Sequence, residues 1–453
     1  MFTIGLDIGT TNICVAMTEM ETRRLVKTVT LKNDSFVVGE KSFQKMQDPE
    51  KIFGIVKKAL SELMNTNTDI GAIGVTGQMH GIVYCDKSGK HVSPLFTWQD
   101  CSGNEAFMGT TYCGYINKKT GYKTASGFGL VTHFYNTLNG ITPLNSYKFC
   151  TIHDYIVMRL CALKEPLVHI SDAASFGIYD LVNNRFDFNS LDRLGLDSDI
   201  LPNVTEKTVF AGKTNVDFLP KGIPVTVAIG DNQASFLGSV KSPPDSVLVN
   251  MGTGSQISVM TELVTCPSSG EIRPFLENTY LFVGSSLCGG RAYQILESFF
   301  KDCRVLFGLP ENDDESLFPS MDKLSEKAFE LSNPLLVGCE FCGTRENPDK
   351  RGVIENIGVD NFTPSHLICG VLRGTVNELF EIFESYRPYL TSQPKRLIGS
   401  GNGIRKSAVW QKLFEERFNM KLTVSENKEE AAYGASVFAN KAFNNLRMCE
   451  FEL

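Results

Sequence analysis

Apolar positions along the chain fall into short β-branched runs and longer helical repeats. The first run, Phe2-Thr3-Ile4-Gly5-Leu6-Asp7-Ile8, stops at Gly9-Thr10-Thr11, and a second, Ile13-Cys14-Val15-Ala16-Met17, follows at once. Strand, glycine turn and strand predict a β-hairpin, not the strand–helix opening of a Rossmann unit. Over 48–64 the period becomes helical, with Ile52, Ile55, Val56, Leu60 and Leu63 on one face, Asp48 as N-cap and Pro49 at the first helical position. Ala72-Ile73-Gly74-Val75 reads as a buried strand running into Thr76-Gly77-Gln78-Met79-His80-Gly81. A short helix is predicted over 153–163, and a strand from Ile223 to Ile229 ending at Gly230-Asp231-Asn232-Gln233. Thr363 and Pro364 open a long helix that Pro388 closes. Arg396-Leu397-Ile398 is a strand before Gly399-Ser400-Gly401-Asn402-Gly403. An alanine-rich helix starts near Glu429, and its small residues admit close approach by another backbone or a flat ligand.

The opening pattern recurs. Ile4-Gly5-Leu6-Asp7-Ile8-Gly9-Thr10-Thr11 lies over Val247-Leu248-Val249-Asn250-Met251-Gly252-Thr253-Gly254 without a gap. Lys241-Ser242-Pro243-Pro244-Asp245, just before the repeat, is linker-like. A length of 453 residues allows two to four domains. The repeat favours two of like fold, residues 1–240 and 241–453, facing one site.

Charge narrows the partners. Forty-four Lys+Arg against 51 Asp+Glu leave −7, which argues against bulk attraction to nucleic acid or an anionic membrane. A small anion remains compatible, because backbone N–H groups can hold phosphate locally. The 13 scattered cysteines do not suggest a disulfide framework, and Cys339-Glu340-Phe341-Cys342 alone is weak evidence for zinc. The N-terminal apolar run has no basic residue before it and is broken by Asp7, unlike a signal peptide. No run reaches membrane-spanning length. A reducing, cytoplasmic setting is the expectation, and a homodimer is compatible with it.

The two Gly-Thr turns carry the first chemistry. Glycine lets backbone N–H groups approach phosphates, and threonine hydroxyls add donors. Asp7 beside the first turn would repel phosphate unless a divalent cation lay between, and Mg²⁺ held through water suits that place. Asn250 holds the equivalent position in the second turn, so one side alone would carry the metal. Gly212-Lys213-Thr214 is not a P-loop, since its first glycine position is Lys207. Gly399-Ser400-Gly401-Asn402-Gly403 lacks the third Rossmann glycine, which is Ile404. Asp231 at a strand end is open to two readings: a base taking a proton from a substrate hydroxyl, or a cap of the following helix. Amides of Asn232 and Gln233 could bind other hydroxyls. Gln78, Met79 and His80, with Thr97-Trp98-Gln99-Asp100, supply the polar and aromatic mixture that sugars need. His80 by itself would more often be structural.

Together these residues resemble the FGGY carbohydrate kinases over nearly the whole chain, from about residue 3 to 440. GLDIGTT is similar to the family's first phosphate turn, VNMGTGS to its second, GSGNG and EEAAYGA to its adenosine region, and GDNQAS to its catalytic aspartate segment. The resemblance implies two ribonuclease H-like, actin-like α/β domains with a cleft between them, closing over ATP and sugar. By motif, it implies Asp231 as general base and Asp7 as the Mg²⁺ ligand through water. Gly9, Thr10, Thr11, Gly252 and Thr253 would face phosphates. Gly290 and Gln294 match a nucleotide contact, and Gly401 and Asn402 would lie near adenosine. Met79, His80, Asp231 and Asn232 would contact the sugar, with Gln78 and Asp100 nearby. Within the family, TIHDY and AASFGIYD are similar to the branch acting on the ketose sedoheptulose. GQMHG is shared with the D-xylulose branch, which stays as the alternative, beside an actin-like ATPase with no sugar. Two departures stand out: many relatives carry Arg after the Trp-x-Asp segment, where this chain has Cys101-Ser102-Gly103, and a basic residue after the first turn, where it has Asn12-Ile13-Cys14.

Overall fold

The β-branched N-terminus forms the expected hairpin. Phe2–Ile8 pairs antiparallel with Asn12–Glu19, with Asp7 opposite Cys14. The structure, a computed structural model, describes residues 1–451 other than 65–68, 266, 268, 309–315, 345–346 and 348. The chain makes two units: Met1–Gly238 with Arg273–Thr279 and Glu429–Leu453, and Ser239–Ile272 with Tyr280–Lys428.

In the first unit Phe2–Ile8 lies between Asn12–Glu19 and the parallel strand Ile70–Gly77, and Leu25–Lys32 extends the sheet on one side. Helix Pro49–Leu63 forms as its pattern predicts: Asp48 accepts the N–H groups of Glu50 and Lys51, and Ile52, Val56, Leu60 and Leu63 are buried. The Ile223-to-Ile229 run is not one strand. It splits into Pro224–Thr226 and Ile229–Gly230, both paired parallel with Ile70–Gly77. Between them the chain steps away, and Val227 donates its N–H to the Val209 carbonyl at 3.0 Å.

A single cut near residue 240 does not describe this molecule, because the last helix, Glu430–Phe451, belongs to the first unit. The reason is steric. A Cβ on Gly5 would lie 1.7 Å from the Ala432 carbonyl oxygen, and one on Gly74 would lie 1.9 Å from that of Ala435. Glycine in the sheet and alanine in the helix allow backbone-to-backbone contact. Of the two partners the alanine-rich segment admits, this one is another backbone.

The second unit repeats the arrangement. Ser246–Met251 and Ser255–Thr261 form the second hairpin, flanked by Tyr280–Ser286 and by the parallel strands Arg396–Ser400 and Leu422–Val424. Helix Pro364–Tyr386, capped by Thr363, buries Ile368, Val371, Leu372, Val376, Leu379 and Phe383. Cys339 and Cys342 are both free. The Cys339 thiol points at the Val371 carbonyl and that of Cys342 at Cys288. Among the described residues no helix is long and apolar enough to cross a membrane.

Candidate active site

The first unit's parallel strands end together. Ile8 pairs with Gly77, and Gly77 pairs in turn with Gly230. Asp7 and Asp231 therefore flank one rung at the carboxyl edge of the sheet, where open α/β sheets bind ligands. Asp231 is the first residue of helix Asp231–Ser239, so the helix dipole favours its ionised form. The Asn232 N–H also bonds its carboxylate, so the capping contact exists alongside whatever else Asp231 does.

Asp7 and Asp231 are both partly buried, densely surrounded yet still touched by solvent. Loss of water pushes Asp7 up to about 7, helped by the negative charges of Asp231 and Glu429. Burial raises Asp231 too, while His153, Arg273 and the Asn232 N–H oppose the rise. Hard carboxylate oxygens crowded in this way fit a hard dication such as Mg²⁺, which would relieve their repulsion.

The first Gly-Thr turn is tied to the neighbouring loops. The Thr10 hydroxyl donates to Gln78 Oε1 at 3.2 Å and accepts from Trp98 Nε1 at 3.0 Å. Gln78 Nε2 donates to Gln47 Oε1 at 2.7 Å, so its amide links the turn to the loop. Carbonyls of Gly9 and Thr10 take the side-chain amides of Asn33 and Gln47, both at 2.9 Å. Thr11 is exposed.

Met79 lies over Gly230: a Cβ there would meet its sulfur at 2.6 Å. His80 adopts φ 73°, unusual for a residue with a side chain, and its ring stacks on Phe128 at 4.4 Å. Asp100 is buried, and its carboxylate accepts the N–H groups of Ser102 at 2.9 Å and Lys45 at 3.4 Å. In this arrangement Asp100 organises its own loop. Trp98, by contrast, is 47% exposed.

In the second unit the Gly252-Thr253 turn packs on the start of helix Gly290–Cys303. Gly290 donates to the Gly252 carbonyl at 2.8 Å and Arg291 to that of Thr253 at 2.9 Å, so these two N–H groups are engaged. Gln294 lies within that helix. Gly401, at φ 82°, abuts the same strand: a Cβ would lie 2.5 Å from the Met251 carbonyl oxygen. Asn402 follows in helix Gly401–Lys406, and Asn250 donates to Ser400 Oγ at 2.8 Å. The structure thus gathers Gly252, Thr253, Gly290, Gly401 and Asn402 around one strand end.

Sequence reasoning missed His153, Asp154, Asp172 and Arg273. His153 Nε2 lies 3.0 Å from Asp172 Oδ1, and both side chains are completely buried. Asp154 caps its own helix through Thr151 and is pushed up to about 7, chiefly by burial and then by Asp172. Candidate ligand atoms of the trio lie within 4.8 Å of one another. One imidazole nitrogen already faces Asp172 and one Asp154 oxygen serves the cap, so we read an internal contact between two side chains that burial holds toward their uncharged forms, His153 pushed down and Asp172 pushed up. The strings TIHDY and SDAAS held His153, Asp154 and Asp172, but nothing local in them gives the partners, and Arg273 stood in no motif.

Two units, each built around a strand-turn-strand hairpin beside a parallel strand, share one α/β architecture. Residues 2–238 match the FGGY family of carbohydrate kinases, N-terminal domain. The chain is 26% identical over 474 residues to sedoheptulokinase from Mus musculus, covering 96% of each. Its fold is similar to that of a xylulose kinase from Rhodospirillum rubrum, at TM-score 0.81 and 20% identity, covering 98% of this chain and 91% of that one. It is also similar to Plasmodium falciparum glycerol kinase with ADP, at TM-score 0.79 and 19% identity, covering 99% and 92%. The chain belongs to the FGGY family of carbohydrate kinases and has its two-domain actin-like ATPase fold.

Proposed function

We propose that the protein transfers the γ-phosphate of ATP to a primary hydroxyl of a ketose, with sedoheptulose as acceptor and sedoheptulose 7-phosphate as product. The observation that carries this reading is the end-to-end similarity to a sedoheptulokinase within a family of carbohydrate kinases. D-Xylulose is the second acceptor to test, because GQMHG is common to both branches.

Phosphoryl transfer needs positioning and charge neutralisation more than covalent chemistry. Asp231 takes the hydroxyl proton as the bond to phosphorus forms. Met79, His80 and Asn232 hold the sugar, with Gln78 and Asp100 fixing the loops around them. Gly9, Thr10 and Thr11 in one unit and Gly252 and Thr253 in the other are the proposed phosphate contacts, with Gly290, Gln294, Gly401 and Asn402 for the rest of the nucleotide. Asp7 would hold Mg²⁺ through water, and the ion would supply charge neutralisation for the phosphates.

The test is ADP release with ATP and Mg²⁺ across sedoheptulose, D-xylulose, D-ribulose and glycerol. The highest kcat/KM is expected for sedoheptulose. ATP consumption equal with and without every sugar would instead indicate an ATPase.

A further inference from the structure

We propose that His153 and Asp172 are positioning residues for Asp231, and that the short helix Ile170–Ser175 braces the acceptor side of the site; the inference rests on the kinase reading above. The pair stands at 3.0 Å with no exposure. The far side of the imidazole packs on the sheet edge. A Cβ on Gly77 would meet His153 Nδ1 at 3.1 Å and the Ile8 carbonyl oxygen at 2.8 Å. Gly77 pairs with Gly230, the residue before Asp231. His153 therefore lies against the rung that carries the proposed base.

The helix holding Asp172 grips two more pieces of the site. Ser171 Oγ accepts the Gly230 N–H at 3.1 Å. Ser175 Oγ accepts the His80 N–H at 3.2 Å, and the Ser175 carbonyl meets His80 Nδ1 at 2.8 Å. Six residues thus bind Gly230, His80 and His153 at once. A contact that served packing alone would not need to join both the base and the proposed sugar loop.

Charge points the same way. Asp231 faces the basic groups His153 and Arg273 and the acidic groups Asp7 and Asp172, with burial pushing His153 down and Asp172 up. His153 faces Asp154, Asp172 and Asp231. Neither Asp172 oxygen makes an aligned hydrogen bond to the described residues. The buried Asp172 carboxyl therefore depends on the imidazole, since losing the ring leaves a buried polar group without its neighbour. Removing Asp172 frees the ring, and removing His153 leaves the Asp172 carboxyl without its neighbour behind Asp231.

The test compares the full-length wild type with Asp172→Asn and His153→Gln. In each variant kcat should fall about 100-fold, as for a small misplacement of a reacting group. KM for sugar and for ATP should stay within about twofold, because the effect is on the transition state. A second measurement needs no turnover. Of the six histidines, the imidazole signal missing from the His153→Gln spectrum identifies His153. That signal should shift in Asp172→Asn and in Asp231→Asn. Wild-type kcat in Asp172→Asn, a loss confined to KM, or a His153 signal indifferent to Asp231→Asn overturns the proposal. A wild type that phosphorylates no sugar overturns the kinase reading, while the signal still decides whether the pair and Asp231 are coupled.

Discussion

A carboxylate at the start of a helix, facing two other acids, is placed by contacts that few local features announce. Asp231 is proposed to take one proton per turnover. Asp231→Ala should lower kcat by about 10²–10⁴-fold, the usual contribution of a general base. ATP binding, followed by calorimetry, should persist, and near-normal sugar phosphorylation would remove Asp231 from the role. A second acid reports on burial instead of catalysis. Desolvation pushes Glu378 from the ordinary 4.5 up to about 7, although the Ser286 hydroxyl bond at 2.8 Å opposes it. Its folded state therefore holds a proton that the unfolded chain has lost. The stability this gives is complete below about pH 4.5 and disappears as pH rises through 7. Compared with Glu378→Gln, the wild type should lose up to about 1.4 kcal/mol per pH unit within that window. Thermal melts of both proteins from pH 5 to pH 8 measure it; a constant difference would mean that Glu378 titrates normally.

Elements here are set by local patterns but seated by glycine. Asp48, Thr363 and the two Gly-Thr hairpins read correctly from sequence because caps and turns need only neighbours. The seating of the last helix needs Gly434, where a Cβ would stand 1.7 Å from the Ala234 carbonyl oxygen in the Asp231–Ser239 helix. Backbone cannot move aside as a side chain can. Gly434→Val should therefore cost at least the 1–3 kcal/mol typical of overpacking. It should also disturb the helix that begins with Asp231. Loss of soluble protein or a lowered melting temperature is the expected result, and a wild-type melt would contradict the close contact.

At the scale of the molecule, chain order and unit membership part company. The second unit is complete by Lys428, whereas the first needs Glu429–Leu453. A chain ended at residue 428 should keep the second unit's melting transition and lose or depress the first's, seen by calorimetry. Retention of both transitions at wild-type temperatures would refute that dependence. The net charge of −7 fits a protein that meets phosphate through local donors and a cation instead of a general positive field.

The sequence by itself determined the two hairpins, the capped helices and the family, because each rests on spacing that the chain carries along its own length. It also placed Asp7 and Asp231 at strand ends. Tertiary structure alone decided three matters. It broke the Ile223-to-Ile229 run where Val227 turns to Val209, it returned the final helix to Gly5 and Gly74, and it set His153 against Asp172 behind Gly230. These depend on packing between segments distant in sequence, where sterics and buried charge choose the partner and no local period records the choice.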